Sequence, residues 1–469
     1  MNLQKVLYII EYNRWSKWRQ FMSQLERMVD GVRNSQMLRL CLIVGLAVVL
    51  LVPIVMIWGL VSERQDRNRD ATAEVSSKWG NTQTIIGPAL VLPYTARWTE
   101  TTPAGDVTRT GTRDAVFLPK ELRMKGRVDV ESRSRGIFKV PVYGLKITVD
   151  GEFGKPNLAE LGIDPASVAW DRAHVAVGIS DVRAIREQTT VSWNGRDTEF
   201  LPGVGGFADG RSGIHALVNA GAADSGFKFS FPLALNGSLA VYFAPFAEST
   251  SVQLTSNSPN PDFQGSWLPA ERSISPNGFD ATWRISYLGR NYSQSWISGA
   301  VPGKAIDDSR FGVQLIEPID RYRMAERSVK YAGLFILLTF AFVWLIEVMA
   351  GTRVHPIQYL MLGAALCVFY LLELSLSERF SFSLAYGIAS LAILGLIAAY
   401  SHVIFKRGQR AVLVACGVAG LYGYLFVLLT NEDAALLFGS IGLFVILGAI
   451  MFVTRRVDWY FRQKTVPNS

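Results

Sequence analysis

LCLIVGLAVVLLVPIVMIWGLV, residues 40–61, is an uncharged apolar run of about 20 residues, the length a helix needs to cross roughly 30 Å of hydrocarbon. It follows a long polar arm and lacks a small-residue cleavage site, so it reads as a signal anchor rather than a removable leader. Five more runs of that length follow much later, at 331–349, 357–376, 383–405, 411–430 and 434–454. None of the six contains Lys, Arg or Asp. The 469-residue chain is 49% hydrophobic with a mean hydropathy of +0.21, and these runs hold the excess.

Loop charge sets the orientation. The arm, residues 1–39, carries Lys5, Arg14, Lys17, Arg19, Arg27, Arg33 and Arg39 against Glu11, Glu26 and Asp30. Arg353, then Lys406, Arg407 and Arg410, then Arg455 and Arg456 fall on the same side, while Glu378 with Arg379 and Glu432 with Asp433 fall on the other. The positive-inside rule then places both termini in the cytoplasm and residues 62–330 outside a bacterial-type inner membrane. The expected order is arm 1–39, anchor 40–61, exported domain 62–330, five-helix bundle 331–454 and tail 455–469. Acidic and basic residues nearly balance within 62–330, so the formal +8 and the pI near 9.3 are a topology signal, and nucleic acid is excluded as a partner.

The bilayer is the first partner. Trp18, Phe21, Met22, Leu25, Met28, Val29 and Val32 recur at helical spacing, which suits a helix lying on the inner leaflet or docking a cytoplasmic partner. Cys41, Cys367 and Cys416 all fall inside predicted spans, so the exported domain folds without disulfides. Residues 62–78 continue the anchor as a charged helix, stopped by Trp79-Gly80. Beyond them the period changes to 2. Phe227, Phe229, Phe231, Leu233 and Leu235, then Asn236-Gly237, then Leu239, Val241 and Phe243 predict a hairpin with a tight Asn-Gly turn. Tyr143, Leu145, Ile147 and Val149 alternate likewise, followed by Asp150-Gly151. Short strands bounded by Gly and Pro point to a large antiparallel β-sandwich of one or two lobes. The stretches 203–213 and 256–264 read as its least structured parts, the glycines of the former as turns rather than a phosphate cradle.

Catalytic signatures are missing. There is no GxxxxGK, HExxH, CxxC or GxSxG, which argues for no catalytic residues, no metal and no cofactor. His355 and His402 lie near span ends, leaving His174 and His215 as two histidines of the exported domain that a fold could bring together. Two carboxylates lie within the apolar runs, where charge is costly: Glu347 in the second span and Glu373 in the third. Each reads either as part of a proton or ion relay or as a shallow group that reaches the interface or pairs with a neighbour. Gly417, Gly420, Gly423, Gly439 and Gly442 are expected to mark helix packing.

Long stretches resemble the CreD family of inner-membrane, cell-envelope integrity proteins. They are ERSVKYAGLFILLTFAFVWLIEV (326–348), HPIQYLMLGAALCVFYLLELSLSE (355–378), DAALLFGSIGLFVILGAIMFVTRRVDWY (433–460), IIGPALVLP (85–93), VGISDVRAI (177–185), GIHA (213–216) and LTSNSPNPDFQGSWLPAER (254–272). The resemblance implies a role in envelope stress responses, regulated with a sensor-kinase pair. A large exported β-domain without a catalytic signature, tethered to a five-helix bundle, is expected to be non-enzymatic and to bind an envelope protein or a lipid-linked precursor. It places Glu347 and Glu378 on acidic positions of the family pattern and makes them the functional candidates. Glu373 replaces an apolar residue of that pattern, Arg379 replaces a histidine, and the arm exceeds the family's usual start. An anchor, an exported β-domain and five later spans are also similar in layout to YidC insertases, whose intramembrane basic residue has no counterpart in the six runs; an acidic groove around Glu347 would repel acidic clients. A periplasmic hydrolase is the remaining alternative.

Overall fold

The computed structural model describes residues 36–102, 105–207, 211–221, 226–300, 302–315, 321–350, 352, 354–406, 408–431 and 434–455. The amphipathic helix expected in the N-terminal arm, the Glu432-Asp433 link and the tail beyond Arg455 lie outside them. The chain divides into two compact units, Met1–Asp66 with Ile319–Ser469, and Arg67–Pro318.

The first unit is a helical bundle. Its helices are α1 (Gln36–Trp79), α2 (Arg321–Ala350), α3 (Pro356–Ser377), α4 (Phe382–Phe405), α5 (Gly408–Thr430) and α6 (Ala435–Thr454). All six are long and apolar enough to cross a membrane. The first continues as one helix through the charged stretch to Trp79, where Gly80 breaks it with φ +142°. Before α3, His355 accepts from the Ile357 N–H while the Gln358 side chain accepts from the His355 N–H, and Pro356 takes the first turn. His355 is therefore a cap. Helices α2 to α5 pack on one another, and α1 seats Leu50 and Leu51 against Gly363 of α3 and Gly333 of α2. No residue of α6 is buried.

Only part of the glycine stripe packs as expected. Gly417 receives the Phe342 ring and Gly442 the Tyr424 ring, each so close that a Cβ would collide. Gly420 and Gly423 instead face open space, and Gly439 meets Leu428 at an ordinary contact distance.

The second unit is a β-sandwich. One sheet holds β1 (Gln83–Thr102), β2 (Gly105–Phe117), β5 (His174–Ile179), β8 (Leu201–Pro202), β9 (Gly213–Leu217), β11 (Ala240–Phe243), β13 (Pro261–Gly265), β16 (Ser295–Ile297) and β17 (Phe311–Leu315). The other holds β3 (Glu121–Arg135), β4 (Phe138–Phe153), β6 (Thr190–Trp193), β7 (Arg196–Glu199), β10 (Phe227–Ser238), β12 (Ser249–Ser256), β14 (Glu271–Ser275) and β15 (Gly278–Ser286). The first has the order β13-β17-β11-β1-β5-β9-β8 with β2 and β16 beyond β1; the second runs β14-β15-β12-β3-β4-β10-β6-β7. Pairing is antiparallel except for β1 with β11 and β12 with β3. A single core joins the sheets, with Trp283 of one 5.7 Å from Phe311 of the other, ring to ring. Residues 256–264, read as unstructured, include most of β13.

The Asn-Gly hairpin is corrected. Asn236 and Gly237 lie inside β10 and pair with Gly144 and Tyr143 of β4. The chain turns at Leu239 instead, φ +64°, and β11 crosses to the other sheet. Gly237 is small because a Cβ there would stand 2.3 Å from the Tyr143 ring, whose hydroxyl donates to the Ala240 carbonyl at 2.8 Å. Asp150-Gly151 likewise sits within β4, where a Cβ on Gly151 would meet the Glu121 carbonyl at 2.1 Å. In both cases glycine permits close packing inside a strand.

Trp79, at the end of α1, donates to the Tyr143 carbonyl at 3.2 Å and lies under the Arg133 guanidinium, while Arg135 pairs with Glu74 at 3.0 Å. Tyr143 thus serves two contacts. Gly237→Ala should cost on the order of 1–3 kcal/mol by overpacking, and much less once Tyr143→Leu has removed the ring. Thermal melts of the four full-length proteins of this double-mutant cycle, followed by the β-sheet circular dichroism signal, measure the coupling; equal costs in both backgrounds would contradict it.

Candidate functional site

Two acidic groups of the bundle, Glu347 and Glu378, pair with arginines across helices. Glu347 of α2 is 4% exposed, with Oε1 2.8 Å from an Arg39 guanidinium nitrogen and Oε2 accepting from the Tyr359 hydroxyl at 2.8 Å. Arg39 precedes the apolar run by one residue, which is why a scan of the runs finds only carboxylates. The expected acidic groove around Glu347 is therefore corrected to a neutral ion pair. Glu347 does pair with a neighbour, but from the interior of the bundle.

Glu378 caps the other end of α3 and lies 3.5 Å from Arg64 Nε, while Arg321 donates to the neighbouring Ser377 carbonyl. At 1.5 Å per residue, Tyr359 and Glu378 stand roughly 28 Å apart along α3. The structure does not gather the two candidate carboxylates into one site.

Glu373 is the group that sequence reasoning weighed least. It is 1% exposed, accepts from Ser328 Oγ at 2.7 Å through Oε2, and receives nothing on Oε1. Its hydrogen-bond partner lies 45 residues away on α2, a relation that the hydropathy of α3 alone does not display.

In the β-unit, β5 and β9 bring His174 and His215 together, ring centroids 5.3 Å apart. The Nδ1 of His174 lies 3.1 Å from the Arg172 carbonyl and that of His215 2.9 Å from the Gly203 carbonyl. The buried Nε2 of His174 faces Gly205 so closely that a Cβ there would sit 2.4 Å away. Among the described residues no group of three or more His, Cys, Asp or Glu could hold a metal ion. Burial pushes the His174 imidazole below the ordinary histidine value, opposed by the Arg172 carbonyl.

Three of the segments quoted above, 85–93, 177–185 and 213–216, meet in space. They form adjoining parts of β1, β5 and β9. Next to them Asp181 accepts from Arg183 Nε at 3.0 Å and from Asn81 Nδ2 at 3.0 Å, and the Arg183 guanidinium holds its carboxyl below the usual range. Gln83 Nε2 donates across to the Asn236 carbonyl at 3.1 Å, tying this sheet to β10. A cavity of about 240 Å³ opens here, lined by Thr84, Ile86, Gly178, Ile179, Ser180, Arg211 and Ser212. Arg211 is its one charged group among the described residues and pairs with Asp307 at 2.7 Å. The described lining offers hydrogen-bonding capacity through Thr84, Ser180, Arg211 and Ser212.

A family profile described as Inner membrane protein CreD matches residues 35–460. The Inner membrane protein CreD of Escherichia coli (strain K12) is 32% identical over 417 residues, covering 89% of this chain and 92% of that protein. Among solved structures, a mutant M1 zinc metallopeptidase from Deinococcus radiodurans shares 9% identity over 46% of this chain and 54% of its own, at a TM-score of 0.19, too low to bear on the fold.

Two predictions follow from these geometries. Arg39→Ala leaves a buried carboxylate without its cation and should destabilise the detergent-solubilised protein by about 1–3 kcal/mol, moderated because Arg39 is one-third exposed, and Glu347→Gln in that background should restore most of the loss. Additive losses in thermal unfolding would contradict the pairing. Unfolded chains protonate His174 near pH 6.5, the folded protein only at lower pH, so stability should fall as pH drops from 7 towards 5. His174→Gln should flatten that slope; an unchanged slope would show that His174 does not set it.

Proposed function

Because the chain belongs to the CreD family of inner membrane proteins, we propose that it is a non-enzymatic envelope-integrity factor whose β-unit, on the periplasmic side, binds an envelope component or partner protein. Both termini are cytoplasmic in this reading, as the basic loops require. The observation that carries it is the convergence of segments 85–93, 177–185 and 213–216 on the cavity beside Arg211 and Ser180. A site built from backbone edges, three hydroxyl side chains and one arginine selects a polar or anionic group by hydrogen bonding and has no means of transforming it. The paired charges of Glu347 and Glu378 hold the bundle together and leave the recognition to the β-unit.

Filling the cavity tests this. Ser212→Trp in the full-length protein, shown to fold by an unchanged melt and unchanged membrane abundance, should fail to restore resistance to envelope stress in a deletion strain. Restoration equal to wild type would contradict binding at this cavity, and a hydrolytic activity lost in folded His174→Gln or His215→Gln proteins would replace the reading with an enzyme.

A further inference from the structure

Glu373 lies about one turn from the end of α3, buried among polar groups from three neighbouring helices. Ser328 of α2 donates to one carboxyl oxygen, and the other has no hydrogen-bond partner among the described residues. Tyr370 of α3, Tyr386 of α4 and Tyr422 of α5 are buried and close enough to feel its charge. Tyr386 donates its hydroxyl to the Tyr422 carbonyl at 2.6 Å, whereas the buried Tyr422 hydroxyl has no hydrogen-bond partner among the described residues. Cys367, two turns back on α3, meets the Leu50 carbonyl of α1. Between Cys41 and Glu63, α1 carries no titratable side chain.

Three basic groups of this end are engaged elsewhere. Arg321 donates to the Ser377 carbonyl, Arg327 to the Leu428 carbonyl, and Arg64 pairs with Glu378. Among the described residues no Lys, Arg or His forms an ion pair with Glu373, in contrast with Glu347 and its Arg39.

We propose that Glu373 is a proton-binding site inside the bundle, its carboxyl held as the neutral acid by its burial without a counter-charge, against the opposing pull of the single hydrogen bond from Ser328. An ionised carboxylate placed there would lack both water and a counter-charge, a cost that the single Ser328 bond does not offset. A hard cation needs six or more oxygen ligands around it, and no group of three or more acidic or histidine side chains assembles among the described residues. A proton neutralises the group without further ligands. The Tyr422 hydroxyl, able to accept, is a further buried group of these helices without a hydrogen-bond partner among the described residues.

Infrared difference spectroscopy of the full-length protein in lipid vesicles tests the assignment. At pH 7 the wild type should show a carboxylic-acid C=O stretching band that Glu373→Gln removes and Glu347→Gln leaves in place. Ser328→Ala should move that band to higher wavenumber, because it loses a hydrogen bond without losing the acid. Glutamine is the near isostere of the neutral acid, so Glu373→Gln should fold, and titration of the wild-type band supplies an independent readout. Absence of the band at pH 7, its removal by Glu347→Gln, or its replacement by a carboxylate band on adding sodium or potassium would overturn the proposal.

Discussion

Hydrocarbon offers neither hydrogen bonds nor counter-charges, so an ionised side chain drawn into the bundle must find its partner within the protein. The Arg39, Glu347 and Tyr359 contacts satisfy that constraint at the His355 end of α3, fixing α1, α2 and α3 to one another. At the opposite end Arg64 with Glu378 and Arg321 with the Ser377 carbonyl do the same for α1, α2 and α3. Between these ends the contacts are apolar and close, as where Leu50 fits against Gly363. The same three helices are thus pinned at two levels, and α4 and α5 complete the packing.

Within the β-unit, water is available outside and the constraint shifts to the interior. Buried polar groups there are held in a network that crosses both sheets, from Asp181 and Asn81 through Gln83 to the Asn236 carbonyl. Tyr143 extends it, accepting from Trp79 on its carbonyl and donating its hydroxyl to Ala240. Glycines at 80, 151 and 237 are small for steric reasons, since each lies where a Cβ would strike backbone or the Tyr143 ring. Segments 85–93 and 177–185 lie along this network, which gives their resemblance to the family a structural cause as well as a place in the proposed binding site.

What was legible in the sequence depended on how local the physics is. Spans are local: about 20 apolar residues suffice, and each of the six runs lies in a helix. The continuation of α1 to Trp79 was equally plain, because Gly80 ends it by backbone geometry. Asn236-Gly237 misled because its dipeptide preference is weaker than the need of Tyr143 for a partner without a side chain, a need visible only across strands β4 and β10. Arg39 escaped because the run was bounded one residue beyond it, and Glu373 because its enclosure comes from Ser328, Tyr386 and Tyr422 on other helices. Nothing in the spacing of His174 and His215 announced that they would adjoin; that follows from β5 pairing with β9.

The central claim is a six-span protein with its β-unit across the membrane from both termini. Reporter fusions after Asn68, Gly351, Arg407 and Asp433 measure that arrangement directly, using alkaline phosphatase and a cytoplasmic fluorescent protein at each junction. The account predicts phosphatase activity after Asn68 and Asp433 and fluorescence after Gly351 and Arg407. Phosphatase activity at Gly351 or Arg407 would contradict it.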